Sequence, residues 1–446
     1  LVHASVNGRG EYLNASNPAE LQVALEEAFR QFSQAIGTAS AVSFNSQEVQ
    51  AGALIYRAFY NIRNNTGDLV AQTFNADGTV GDEQWSSAAR LDSQVFNDPV
   101  TLALTDNRQI LTFDPTVSTG AGGKPFRAGS LNVAQQEALE DDVAGTVITG
   151  SDQFNKQIDK HVKYLRGDKS NERPVGNLRE RPAVKGRLGD IVSSTPVYYG
   201  APNRIRRNRP PYPTDVAPYP ANGSETYETF AAAKANRRDM VYVGANDGML
   251  HGFDADDGEE IFAFIPDLMI TGFYSQRIKQ LLSSNYVHRY AVDLAAAVND
   301  VYMDVDARGL TVSTDVYPKE WATILIGGYR GGGKGYFALD VTDPDQVTEA
   351  NASNVVLWEF TDGDDLLQSD AGGLLVDVNG RAVSDLGYTY SQPTIAMSNV
   401  SDTSDTADNR WVAVFGNGYN STSGRATLFV AFVDGGMDGT WCHPDK

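Results

Sequence analysis

From Ala41 onward, apolar and polar residues alternate with a period of two in short runs separated by Gly- and Asx-containing turns. That is the pattern of half-buried strands. Strands are predicted at Ala41–Phe44, Leu54–Tyr60, Leu69–Phe74 and Ile110–Phe113, and again at Val287–Val292, Val298–Asp304, Ala322–Gly327 and Tyr336–Val341. Val355–Phe360, Tyr390–Ala396, Trp411–Phe415 and Thr427–Val433 complete the series. The clearest stretch is Met240–Pro266, in which Val241 and Val243 alternate with Tyr242 and turns fall at Asn246-Asp247-Gly248 and Asp256-Asp257-Gly258. Asx-Gly pairs supply the positive φ angles of tight hairpins, so this stretch predicts a three-strand antiparallel meander. A lone meander cannot bury its own face and must be one unit of a larger all-β body.

Helical periodicity is confined to a few places. Asn17 as N-cap, Pro18 and Glu20 open a helix whose apolar stripe runs Leu21, Ala24, Leu25, Ala28, Phe32 and Ile36, with Gly37 ending it. Shorter helices are predicted near Asn132–Asp141, Gln153–Leu165 and Glu225–Asn236, and a charged, Pro-containing connector spans Arg166–Arg187. The unit YVGANDGMLHGFDADDGEEIF is echoed loosely by GYRGGGKGYFALDVTDP and GNGYNSTSGRATLFVAF. A Gly-rich turn before an aromatic strand, once per blade-sized interval, favours a radial repeat over a sandwich. The expected fold class is all-β, a modified and incomplete β-propeller with a short N-terminal helix and helical or loop insertions.

Composition narrows the function. With 36 Lys and Arg against 57 Asp and Glu, the 446-residue chain carries a formal charge of -21. Such a surface repels nucleic acid and anionic lipid and suits divalent cations. The single Cys442 excludes an internal disulfide framework, and no run of 18 apolar residues offers a membrane span. The chain begins at Leu1 without methionine, as a processed product or fragment would.

Candidate chemistry is sparse. Gly331-Gly332-Gly333-Lys334-Gly335 lacks Walker spacing and precedes a strand, so it reads as a hairpin turn. His3, His161, His251, His288 and His443 have no mutual metal-ligand spacing, and Ser193-Ser194 lacks the GxSxG elbow. Calcium is better served: Asn75, Asp77 and Thr79, followed by Asp82, place oxygen ligands at alternate loop positions. Further acidic groups lie at Asp254, Asp256, Asp257 and Glu259, at Asp304 and Asp306, and at Asp362, Asp364 and Asp365, each readable as an ordinary turn. Arg166-Gly167-Asp168 is an integrin-type tripeptide that, on an exposed loop, would contact a receptor. The basic run Arg204, Arg206, Arg207 and Arg209 reads as a surface loop or a local docking patch. Phe253–Phe262, FDADDGEEIF, resembles the Asp-Ala-x-x-Gly-x-x-x-Trp blade signature of quinoprotein dehydrogenases, with Phe262 where that signature has Trp. Three readings therefore stand side by side: a propeller adhesin or assembly scaffold, a generic interaction module, and a quinoprotein-like dehydrogenase.

Several motifs, in order, resemble one family. They are GRGEYLNASNPAEL (8–21), YLRGDKSNE (164–172), LGDIVSSTPVYYG (188–200), VYVGANDGMLHGFDADDGEEIFAFIP (241–266), GGGKGYFALDVTDP (331–344), LGYTYSQPTI (386–395) and WVAVFGNGYNS (411–421). Together the chain resembles the C-terminal region of the PilC/PilY-type type IV pilus tip-associated proteins. The resemblance implies a modified propeller after an N-terminal part ending in a von Willebrand A-like domain. Residues 1–40 would then be the tail of that domain and 41–446 the propeller, its last blades missing or altered. It also implies a non-enzymatic, exported protein of the cell surface, outer membrane or pilus tip, acting in pilus biogenesis and adhesion with pilus subunits, minor pilins or a host receptor as partners. Calcium regulation occurs in that family, but its DxDxDGxxD loop has no counterpart here, and no family calcium ligand is assigned. Arg166, Gly167 and Asp168 fall within a matching motif and are the expected partner contacts.

Overall fold

A computed structural model describes residues 36–44, 53–97, 104–117, 122–140, 151–202, 226–272, 276–304, 319–368, 374–398 and 411–435. Its strands fall into sheets that follow the chain. The first holds β1 (Ile36–Phe44), β2 (Leu54–Asn61), β3 (Thr66–Phe74) and β4 (Val80–Ser86) in that order. A short ribbon joins β5 (Val95–Asn97) to β6 (Leu104–Asp106). The second large sheet runs β8 (Gly123–Pro125), β7 (Ile110–Phe113), β12 (Glu260–Ile265), β11 (Leu250–Asp254), β10 (Met240–Gly244), β9 (Val197–Tyr199). A third takes β13 (Ala297–Asp304), β14 (Lys319–Gly328), β15 (Gly335–Asp340) and β16 (Val356–Thr361), and a fourth β17 (Thr394–Met397), β18 (Trp411–Gly416) and β19 (Leu428–Phe432).

The leading strands of the four meanders, β1, β9, β13 and β17, adjoin one another in that order. Successive meanders whose leading strands converge are the arrangement of propeller blades. Among the described residues the sheets do not close into a barrel, as in a modified propeller.

The core lies between blades, and the period of two explains how. In β10, Met240 and Tyr242 face one side and join Phe264, Phe337 and Leu325. Val241 and Val243 face the other and join Tyr56, Trp85 and Phe253 of the contact with the first sheet. Both faces of the strand are buried, so every residue of β10 is. Between the third and fourth sheets, Tyr336 meets Phe415 at 4.1 Å between ring centres and Trp321 meets Trp411 at 6.1 Å. The hairpins of the meander turn where expected, with Gly248 at φ 92° and Gly258 at φ 78°. The second of these turns is also a joint between sheets: the Ala255 carbonyl accepts from Tyr56 Oη at 3.2 Å and from Trp85 Nε1 at 3.1 Å.

The same device holds two blades at their entry. Ser194 Oγ accepts the Gly244 N–H at 2.9 Å, and Ser391 Oγ accepts the Gly416 N–H at 3.0 Å. Each serine begins a Ser-x-Pro segment leading into its blade, and each glycine ends a blade strand.

Helices are insertions: α1 (Ser87–Gln94), α2 (Val133–Glu140), α3 (Ser151–Leu165), α4 (Tyr227–Ala233), α5 (Asp267–Ile270), α6 (Gln276–Leu282) and α7 (Ala352–Val355). Two expectations need correction. Val287–Val292 is irregular rather than a strand, because its polar groups bond to the neighbouring blade's turn: Ala291 N–H donates to Asn246 Oδ1 at 2.9 Å and Val292 N–H to the Ala245 carbonyl at 3.3 Å. The strand expected from Tyr390 begins only at Thr394. Strand β1 pairs with β2 from Ile36↔Asn61 onward. The helix predicted over residues 18–36 lies outside the described residues apart from Ile36, and so do Arg204–Arg209, Asp306, Cys442 and His443.

Candidate functional site

The Arg166-Gly167-Asp168 tripeptide follows the end of α3, and the structure buries it. Arg166 is 1% exposed and Asp168 5%. The Arg166 guanidinium meets Asp106 Oδ2 at 2.5 Å and Glu349 Oε1 at 2.8 Å, and donates to the main-chain carbonyls of Phe126 at 3.1 Å and Arg108 at 2.8 Å. Gly167 adopts φ 116°, and a Cβ there would lie 2.9 Å from Val95 Cγ1. Asp168 Oδ1 accepts from Asn97 Nδ2 at 3.0 Å and from the Ser170 N–H at 2.7 Å, while Oδ2 accepts from Ser170 Oγ at 2.9 Å. The exposed receptor loop expected from the tripeptide is therefore corrected. Its charges tie α3 to the β5–β6 ribbon and to the residues before α7, because carboxylates remote in sequence enclose the arginine.

Beside it runs a chain of buried charges beneath the meander. Arg108 grips Glu260 through Nε at 2.5 Å and Nη2 at 2.8 Å. Glu260 Oε1 in turn bonds His251 Nδ1 at 2.7 Å, and His251 Nε2 lies 3.3 Å from Asp247 Oδ1. Burial opposes charge on Glu260, but Arg108 and His251 prevail and hold it down at about 2. Burial likewise opposes charge on His251, but Asp247 and Glu260 lift it to about 9. His251 is thus a structural cation at neutral pH.

The connector after the tripeptide walls an open cleft of ≈ 420 Å³, open solvent included, lined among others by Tyr164, Arg179, Arg181, Arg187, Asp247 and Tyr286. The Arg179 guanidinium carbon stands 3.9 Å from the centre of the Tyr286 ring, and that of Arg181 stands 3.9 Å from the Tyr164 ring. Arg181 pairs with Glu172 at 2.6 Å, and Arg187 pairs with Asp92. Lys169, next to the tripeptide, is pulled down to about 8 by burial and by Arg187 and Arg181. Across Tyr286 a second, smaller cleft of ≈ 220 Å³ carries Arg277 and Arg289 over Met269, Ile278 and Leu281.

The other sequence candidates serve turns and joints. Asn75 and Thr79 close a hairpin: Asn75 Nδ2 donates to Thr79 Oγ1 at 3.0 Å, and Asp77 Oδ1 accepts from the Thr79 N–H at 3.0 Å and its hydroxyl at 2.6 Å. The Thr79 bonds hold the Asp77 carboxyl below its usual range. Asp82 stands apart on β4, exposed. The structure thus joins Asn75, Asp77 and Thr79 but not Asp82, and among the described residues no three His, Cys, Asp or Glu side chains gather as a metal would require. Asp254 caps its own turn, Oδ1 accepting the Asp256 N–H at 2.7 Å. Asp364 Oδ2 similarly accepts from Thr361 N–H at 2.7 Å. His288 Nε2 bonds Asp190 Oδ2 at 2.6 Å, while the neighbouring Ser194 hydroxyl is committed to the main chain of Gly244 and Leu294. Phe262, at the position of the signature tryptophan, is fully buried with its ring 6.1 Å from that of Tyr242.

Sequence reasoning missed the cleft arginines. A signal was present: the connector 166–187 holds seven Lys and Arg against three Asp and Glu, in a chain of charge -21. Nothing local showed that Arg277, Tyr286 and Arg289 would join them.

Comparison with known proteins places these features in context. Residues 188–438 match the family model described as the PilY1 beta-propeller domain. The type IV pilus biogenesis factor PilY1 of Pseudomonas aeruginosa (strain PAK) is 32% identical over 454 residues, covering 98% of this chain and 32% of that protein. A PilY1 homolog of Xylella fastidiosa (strain Temecula1 / ATCC 700964) is 32% identical over 443 residues, covering 94% of this chain and 28% of its own length. The chain spans about a third of the length of these curated relatives. The crystal structure of the Pseudomonas aeruginosa PilY1 C-terminal domain is similar at 32% identity over 48% of this chain and 32% of that one, with a TM-score of 0.31.

Proposed function

This chain belongs to the PilY1 β-propeller family, and from that premise we propose that it acts without catalysis in type IV pilus biogenesis and adhesion. The observation that carries the reading is the family match across the blades from 188 to 438, supported by relatives named as pilus biogenesis factors over nearly the whole chain. The geometry is in keeping with a contact module. Arg108, Arg166, Glu260 and His251, four charged groups of the interior, are fixed by one another and by main-chain atoms. Side chains so engaged make a rigid frame for presenting surfaces to other proteins. Its partners are pilus subunits or minor pilins, with a host or surface receptor for the adhesive role. Its place is the cell surface or pilus tip, in association with the outer membrane. Among the described residues no helix is long and apolar enough to cross a membrane.

The test is an in-frame deletion of this segment from the full-length protein, with export of the remainder checked by immunoblot. Surface pili counted by electron microscopy should be lost while the pilin pool is unchanged. Normal piliation and normal attachment to surfaces would overturn the reading.

A further inference from the structure

The two clefts on either side of Tyr286 share Asn246 and Leu281 as well, so they form one groove across the end of the meander blade. Its charge is the reverse of the molecule's. The lining holds Arg179, Arg181, Arg187, Arg277 and Arg289 against the single carboxylate of Asp247. That carboxylate is already engaged, by His251 and by the Gly189 N–H at 2.8 Å. Arg181 and Arg187 are bound to Glu172 and Asp92, but among the described residues neither Arg179 nor Arg289 has a carboxylate within ion-pair distance. Arg179 is nevertheless held ready, donating to the Asn64 carbonyl at 2.9 Å with its guanidinium carbon over the Tyr286 ring. A pre-placed guanidinium loses little freedom on meeting a carboxylate and binds it through two parallel N–H groups.

We propose that this groove docks an acidic peptide segment of a partner protein, with Arg179 and Arg289 receiving its carboxylates and Tyr286 the ring across which it lies. Tyrosine and arginine are the residues on which interface energy concentrates, and Met269, Ile278 and Leu281 give the groove an apolar floor. Charge decides the class of partner. A long polyanion, whether nucleic acid or an anionic bilayer, extends beyond the groove into the field of a chain of charge -21. A short acidic segment stays within the Debye length of the arginines, about 8 Å at physiological salt, and avoids that repulsion. The inference rests on the groove alone and not on the pilus assignment.

The test titrates the chain into a fluorescein-labelled peptide of alternating Glu and Ala, followed by anisotropy, beside the matching Lys–Ala peptide, a single-stranded DNA oligonucleotide and phosphatidylserine vesicles. The Glu peptide alone should bind, more weakly as salt rises, and R179E and R289E should each weaken it about tenfold or more. Arg289 is exposed, so R289E keeps the fold, and an unchanged melting temperature verifies this. Failure of the Glu peptide to bind at millimolar concentration, binding undiminished in R289E, or tighter binding of the oligonucleotide or vesicles would each overturn the proposal. Loss of peptide binding with normal piliation would separate this site from the pilus role.

Discussion

Arg108 and Arg166 exchange main-chain hydrogen bonds: Arg108 Nη1 donates to the Arg166 carbonyl at 3.2 Å and Arg166 Nη2 to the Arg108 carbonyl at 2.8 Å. Each guanidinium is neutralised by different carboxylates, Glu260 for one and Asp106 with Glu349 for the other. Two like charges thus sit side by side without net repulsion, and segments far apart in sequence are fastened at one point.

Removing Arg166 takes the buried partner from Asp106 and Glu349 and leaves them only the half-exposed guanidinium of Arg127. Arg166→Ala should lower stability by about 3–5 kcal/mol, the usual cost of breaking one side of a buried pair. Urea denaturation followed by tryptophan fluorescence measures it. A midpoint within error of the parent would show that the tripeptide does not carry the joint.

The serine latches offer an internal comparison. Ser194 is fully buried and Ser391 is half-buried. Ser194→Ala strands the buried Gly244 N–H and should cost about 1–3 kcal/mol, whereas water can replace the hydroxyl in Ser391→Ala at smaller cost. Equal losses in parallel denaturation curves would contradict this ordering.

The charge chain under the meander sets a pH window. The folded pKa of His251 is raised to about 9 from 6.5, so its contribution is full below pH 6.5 and is lost as pH rises through 9. Glu260 is depressed to about 2 from 4.5, so its contribution is full above pH 4.5 and is lost as pH falls through 2. Between pH 6.5 and 9 stability should decline by up to about 1.4 kcal/mol per pH unit on account of His251. His251→Gln should flatten that decline in melts at pH 6, 7, 8 and 9. An undiminished slope in the variant would assign it elsewhere.

Glu359 behaves oppositely to Glu260. It is buried beside Asp267, and its carboxylate oxygens accept the N–H groups of Asp267 at 2.6 Å and Leu268 at 3.3 Å. Burial first, then Asp267, raise its pKa well above the ordinary value of 4.5. The folded protein holds that proton after the unfolded chain has released it, so stability falls as pH climbs above 4.5. Relative to the parent, Glu359→Gln should therefore gain stability from pH 5 to pH 8. A constant difference between the two proteins at both pH values would mean that Glu359 is ionised in the fold.

The sequence made the meander legible because Asx-Gly turns and alternation are local signals. Helices α2 and α3 were legible for the same reason, each from its own periodicity. What escaped was everything decided by distant partners. Strand β7 joins β12 in parallel, Ile110 opposite Ala263, and nothing in either segment announces the other. The irregular path of Val287–Val292 follows from acceptors on the Asn246 turn. The tripeptide resembled an exposed motif because Asp106 and Glu349, which enclose it, lie 60 and 183 positions away. The groove was hidden likewise, since its arginines come from two stretches about a hundred residues apart that the fold brings together around Tyr286 and Leu281.

The carbonyl of Ala255, which receives both Tyr56 and Trp85, belongs to the one part of a residue that substitution cannot alter. Position 255 can change its side chain while the joint persists, provided the Asp256-Asp257-Gly258 turn keeps its course. At this joint the address of the first sheet is therefore written in the path of the main chain, and the two aromatic donors read it. A chimera that carries Tyr56 and Trp85 together with a foreign meander of the same turn keeps this joint.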